Sequence, residues 1–292
     1  MNREIKMNIL SEDLKKEYNR EEKLLGDIVI YNNLIVTPKD VLKAHYIITD
    51  YFFHTEGEKV LFGIKNVDLL LSAVGRQMTT FMGKDKWKEP LEKCATLFYG
   101  LNKNHAFNDG NKRTSLLITL YNLYLIHRIP TGNQKKFETL TIRIAANELN
   151  KYKIYQKYAN NKELSIQDIN ICVIAHELKR LTRKADMRFY ALTYREFSQR
   201  LEQLNEGYHF GNPDKNFISI YQTKKNFFGK TQEVFIRQIG FPGWSKQIGE
   251  KAAKSVLHDL QLDDYFRFFK GGEPIYKLLD DYSAPLSRLK DE

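Results

Sequence analysis

Between Lys112 and His127 the chain reads KRTSLLITLYNLYLIH, a run without Gly or Pro that carries apolar side chains on nearly every face. A helix that is hydrophobic all round has no face to give to water, so it must pass through the centre of a core. Other elements have to surround it, and stripes at helical spacing supply them. Leu70, Val74, Gln77, Met78 and Phe81 form one stripe, and Leu91, Cys94, Ala95, Phe98 and Leu101 form another just upstream of the buried helix. The expectation is a mainly α protein, a helical bundle wrapped around one buried helix.

The loop that feeds this helix, residues 105–113, reads His-Ala-Phe-Asn-Asp-Gly-Asn-Lys-Arg. A helix start presents unpaired N–H groups and the positive end of the macrodipole, which together bind anions, phosphate above all. Gly110 lets the backbone approach a phosphate closely, Asn111 offers an amide, and Lys112 and Arg113 supply charge. A polyphosphate held there calls for a divalent cation. Asp109 is the only carboxylate of the loop, and magnesium, which takes one or two protein carboxylates plus substrate phosphates, fits it best. Histidine takes and gives protons near neutral pH, so His105 is placed to accept the proton of an attacking hydroxyl. Phe107 is expected to point inward and anchor the loop.

The string resembles the active-site signature of the Fic/Doc (Fido) superfamily, His-x-Phe-x-Asp/Glu-Gly-Asn-x-Arg. The resemblance implies His105 as general base, Phe107 as core anchor, Asp109 as metal ligand, and Gly110, Asn111, Lys112 and Arg113 as phosphate or nucleotide binders. Two positions depart from the AMP-transferring branch, which usually has Gly where this chain has Lys112 and a second Arg where it has Leu116. Both departures are similar to the Doc-like (death-on-curing) branch, whose motif ends Asn-Lys-Arg-Thr, as Asn111 to Thr114 do here. A lysine fills and charges space where a second phosphate would approach, and loss of the second arginine removes a clamp on the terminal phosphate. The Doc-like reading is a transferase that moves the γ-phosphate of ATP to a hydroxyl of a target protein, with magnesium, in a toxin acting on translation and restrained by an antitoxin. AMP transfer is the alternative. A regulatory or nucleic-acid-binding protein on a Fido fold, without catalysis, is the alternative of another class. The serine-to-glutamate inhibitory motif of many Fic proteins has no good match here, Ser198 to Gln203 coming nearest and ending in Gln.

Composition bounds the partners. A hydrophobic content of 42% with 13% aromatics excludes a disordered chain. The net charge of +10 sits almost wholly in residues 1–184, which hold 30 Lys and Arg against 21 Asp and Glu. That field suits nucleotides or an acidic protein target, and nucleic acid is the less favoured partner because only short basic runs such as Lys84 to Lys88 appear. Cys94 and Cys172 lack any zinc or redox spacing and read as buried thiols of a cytoplasmic protein. No run reaches the roughly 18 apolar residues of a membrane span.

Three segments are expected: an N-terminal arm or helix over 1–26, a Fido-type catalytic domain over 27–184, and a small α+β domain over 185–292. Asp27 to Val36 reads as a short strand, and Thr37, Ser165 and Thr193 open helices with capping boxes. A helix is expected over 138–158. Thr55 to Asn66, with Gly57 and Gly63, suits a small β-hairpin flap, and the resemblance makes Phe62, Gly63, Ile64 and Lys65 the edge on which a target segment docks. In the C-terminal domain, Asn216 to Gln222 and Glu233 to Ile239 alternate as strands, followed by a helix over Ser245 to Leu260.

Overall fold

The buried helix forms as its composition requires. In a computed structural model, which describes residues 5, 11–26, 34–57, 61–185, 191–204, 206–225, 230–260, 262 and 274–290, it is α5 (Asn111–Leu125), with Leu116, Leu117, Ile118, Leu120 and Leu123 fully buried. Its polar residues are buried too, so each needs a partner. Ser115 Oγ donates to Lys112 O and accepts from Asn102 Nδ2, while Thr119 Oγ1 donates to Ser115 O.

The protein is mainly α with small antiparallel sheets. Helices α1 (Glu12–Leu25), α2 (Pro38–Glu56), α3 (Val67–Gly75) and α4 (Pro90–Asn104) share one core with α5, and the exposed hairpin β1–β2 (Thr80–Phe81 and Lys84–Asp85) lies between α3 and α4 in sequence. They are joined by β3 (Arg128–Pro130), α6 (Gln134–Ala145), α7 (Ile154–Ala159), α8 (Ile166–Leu181) and β4 (Thr182–Lys184), the last paired antiparallel with β3. The capping boxes at Thr37–Asp40 and Ser165–Asp168 start α2 and α8, as their spacing implies. The helix expected over 138–158 is broken. Asn147 takes a left-handed φ of 58°, Glu148 N–H turns back to Arg143 O at 2.8 Å, and α7 starts afresh beyond a short 3₁₀ turn. Within the basic run at Lys84, Lys86 pairs with Asp168 at 2.6 Å, while Asp85 pairs with Lys93 outside the run at 2.8 Å.

The expected strand over 27–36 lies mostly outside the described residues, and 34–36 form a bend. The N-terminal helix is more than a polar arm: Leu14, Tyr18 and Leu25 are buried against the bundle.

A second unit is made by the described residues between 185 and 274. Within it α9 (Tyr194–Gln203), capped by Thr193 and Glu196, is followed by the antiparallel sheet β5–β6–β7 (Tyr208–Phe210, Phe217–Lys225, Thr231–Gly240) and α10 (Glu250–Asp259). Phe197, Leu201, Ile218, Ile220, Val256 and Leu257 make its core. The chain then returns to the helical unit, which is made by the described residues between 5 and 184 and by 275–290. Helices α11 (Pro274–Asp281) and α12 (Ser283–Arg288) send Ile275, Leu279, Tyr282 and Leu286 into the core around α5, where the Tyr282 ring meets Phe137 edge-on. Residues 275–290 thus lie with the helical unit, apart from the rest of the domain expected over 185–292.

Candidate active site

Helix α4 ends on His105, whose φ of 48° and ψ of 53° are left-handed. Helices commonly end on a left-handed residue, and that position is usually glycine because a Cβ is strained there. A histidine at this place is held by its surroundings, and its side chain is exposed.

The next residues fold inward. Phe107 is 2% exposed, and the loop around it is closed by Asn111, whose Oδ1 accepts from Phe107 N at 3.0 Å while its Nδ2 donates to Phe107 O at 3.0 Å. Asp109 is half-buried, with Oδ1 accepting from Gly110 N. Gly110, at φ 71°, turns the chain into α5, and Thr114 N–H donates back to Gly110 O at 2.9 Å. His105, Asp109 and the first turn of α5 are therefore brought to one loop, where a helix N-terminus favours an anion.

The two cations of the motif separate. Lys112 is half-exposed, with Nζ donating to Lys290 O at 2.7 Å. Arg113 is 1% exposed; its guanidinium lies 4.5 Å from the centre of the Phe52 ring, and its Nε donates to Leu286 O at 3.1 Å. The structure buries this arginine, joining α2, α5 and α12. Leu116 is wholly buried, so its position offers no room for a solvated arginine.

The flap segment is built onto the motif loop. Ile64 bridges Phe107 antiparallel, Lys65 N and Asn66 N donate to Ala106 O at 2.8 and 3.1 Å, and Asn108 N donates to Gly63 O at 3.1 Å. Ile64 N donates to Oε1 of the buried Glu21 at 2.8 Å, and Asn108 Nδ2 reaches Phe62 O at 3.2 Å. Gly63 has a φ of 99°, and a Cβ there would come within 2.7 Å of that Glu21 oxygen. Most of the backbone groups expected to dock a target at Phe62 to Lys65 are thus engaged inside the protein. Residues 58–60 of the expected hairpin lie outside the described residues; a hairpin forms at Thr80 to Asp85, with exposed Phe81 and Met82 at its end.

One residue of this centre escaped the sequence reading. His45, on α2, is 1% exposed and stacks on Phe107 with ring centres 4.0 Å apart. Gly63 N–H donates to its Nε2 at 3.1 Å, so the ring proton sits on Nδ1, which faces Thr114 Oγ1 at 3.1 Å. Burial pushes its pKa down to about 3, which keeps it neutral. A histidine in an apolar helix gives no sequence signal of this role, because its partners are 18 and 69 positions away.

This centre coincides with a family match. Residues 35–123 match the model of the Fic/DOC family. The segment that carries the site is Fic/DOC-like. It runs from the turn before α2 through the flap and the motif loop to the end of α5, and so contains each residue described above except Glu21, Leu286 and Lys290. The chain is also 40% identical over 52 residues to Toxin Doc of Mycolicibacterium smegmatis (strain ATCC 700084 / mc(2)155). That alignment spans 18% of this chain and 40% of the relative's length. No solved structure matches the chain.

Proposed function

We propose that the chain is a protein phosphotransferase that moves the γ-phosphate of ATP to a hydroxyl of a target protein. The observation that carries this reading is the exposed, left-handed His105 held beside the glycine-led start of α5, with Asp109 between them in sequence. The imidazole of His105 takes the proton of the target hydroxyl as its oxygen attacks the γ-phosphorus. The bond from that phosphorus to the bridging oxygen breaks, and ADP leaves with the electron pair. The first turn of α5 and Lys112 offset the charge of the phosphates, and the fixed loop supplies position more than chemistry.

Among the described residues no three His, Cys, Asp or Glu side chains gather into a metal-ligand set. A single half-buried carboxylate fits a magnesium ion that arrives with the nucleotide, held by Asp109 and substrate phosphates, rather than a resident metal. When bound it supplies neutralisation of phosphate charge.

The choice of γ-transfer over AMP transfer is supported by Leu116, which sits in the core where the AMP-transferring branch carries its second arginine. Likeness to a protein named a toxin supports a toxin role with a protein antitoxin as partner; a component of translation is the target this reading expects. The test is incubation of the purified protein with cell lysate, magnesium and ATP labelled on the α- or the γ-phosphate. Label passing to protein from the γ-position only, and lost in His105→Ala, is the expected result. Transfer from the α-position would make the chain an AMP transferase, and label from neither position, with an assay shown to contain its target, would favour the non-catalytic reading.

A further inference from the structure

We infer that His45 is a positioning residue that couples the flap to the motif loop and thereby sets where His105 stands. Its catalytic consequence rests on the transferase reading above; its structural half does not.

The ring touches every part that the reaction would need in register. Its Nε2 accepts from Gly63 N–H of the flap, its Nδ1–H meets Thr114 Oγ1 in the first turn of α5, and its face lies on Phe107, two residues beyond His105. Gly110 is beside it as well, because a Cβ built on that glycine would lie 3.7 Å from the imidazole Cε1. A phenylalanine could supply the stacking and a threonine or asparagine one polar contact. Only an imidazole, flat and with an acceptor and a donor on the same ring, supplies all three from a position that is 1% exposed.

The contact to Gly63 matters most for the site. Gly63 O accepts from Asn108 N, and Ala106 O accepts from Lys65 N and Asn66 N, so the flap is hydrogen-bonded to the residues on either side of Phe107. Removing the acceptor at Nε2 leaves Gly63 N–H buried without its partner and lets the flap shift. His105 is held in a left-handed conformation that its own backbone does not favour, so it depends on this support more than an ordinary loop residue would.

Three variants separate positioning from plain packing. His45→Phe keeps the stacking and loses both polar contacts; His45→Gln can place an acceptor near Nε2; His45→Asn can place a donor near Nδ1 only. In His45→Phe the exchange of the Gly63, Lys65 and Asn108 amides should quicken by about tenfold or more while amides of α8 keep their protection. Transfer should lose kcat by roughly 10- to 100-fold, with KM for ATP within about twofold of wild type. His45→Gln should recover most of both and His45→Asn little of either. Unchanged flap exchange in His45→Phe overturns the inference whatever the activity, as does an equal loss in the Gln and Asn variants. If His45→Phe does not fold, the Gln and Asn pair decides alone. A wild-type protein without transfer to its target overturns the phosphotransferase reading, and amide exchange still decides whether His45 holds the flap.

Discussion

His105 stands where a helix would by preference end on glycine, and the residue that carries the proposed chemistry is therefore also a source of strain. Two substitutions follow different paths from that fact. His105→Ala removes the imidazole but keeps a Cβ in the left-handed region, so transfer should vanish while the melting temperature hardly moves. His105→Gly should also lose transfer but raise stability by about 0.5–1 kcal/mol, measured by denaturant unfolding. A glycine variant no more stable than the alanine variant contradicts the claim that this backbone is strained. Leu116 supports a further prediction. Because it is wholly buried, Leu116→Arg should destabilise the fold by about 3 kcal/mol or more and should not create AMP transfer, as thermal unfolding and the labelled-ATP assay would report.

The motif was legible as a loop that feeds a helix start, but its long-range contacts were not. Its spacing marked the loop and the helix start, since residues 105–113 are consecutive and their contacts local. It did not show that Arg113 would be buried against Phe52 and Leu286, because those partners come from distant parts of the chain. His45 was missed for the same reason.

At the scale of elements, the central joint is the packing of α2, the flap, the motif loop and α5 around the neutral His45. In the folded protein its pKa is about 3, and in the unfolded chain it is near the ordinary histidine value of about 6.5. Between those values the unfolded chain binds the extra proton, so stability rises with pH across that window. This contribution is complete above about pH 6.5 and lost progressively toward pH 3. Wild type should therefore lose stability on acidification to pH 4 more steeply than His45→Gln, on the order of a few kcal/mol, as urea unfolding at several pH values would show. Parallel pH profiles for the two proteins contradict the assignment. Asn111 makes a second joint by closing the loop onto Phe107, and Asn111→Ala should cost about 1–3 kcal/mol and weaken ATP binding by calorimetry.

Local signals located most elements. Capping boxes gave the starts of α2, α8 and α9 because the hydrogen bonds that define them span only three residues. The break at Asn147 was hidden, since a single residue turning left-handed leaves the apolar pattern on both sides intact. Among its described residues, Ile64 of the flap pairs with Phe107 of the motif loop, and no pattern within residues 55–66 could say so.

At the scale of the whole chain, the helical unit is interrupted and completed by its own C-terminal segment. Ile275, Leu279, Tyr282, Leu286 and Leu289 recur at helical spacing and are buried, Arg288 forks onto Glu138, and Leu286 O and Lys290 O accept from Arg113 and Lys112. The spacing could be read in the sequence, but which unit it faced could not, because amphipathicity names no partner. A chain of residues 1–184 alone should consequently melt well below the full chain or fail to unfold cooperatively, by circular dichroism. A shortened chain with the melting temperature of the whole would contradict the role given to α11 and α12.

The proposed phosphotransfer is tested most directly by the mass of the modified target peptide, recovered after reaction with ATP and sequenced by fragmentation. A hydroxyl side chain carrying a phosphate, formed by the wild-type protein and absent with His105→Ala, is the result predicted. The same hydroxyl carrying an adenylate, or a phosphate that forms equally well without His105, would contradict it.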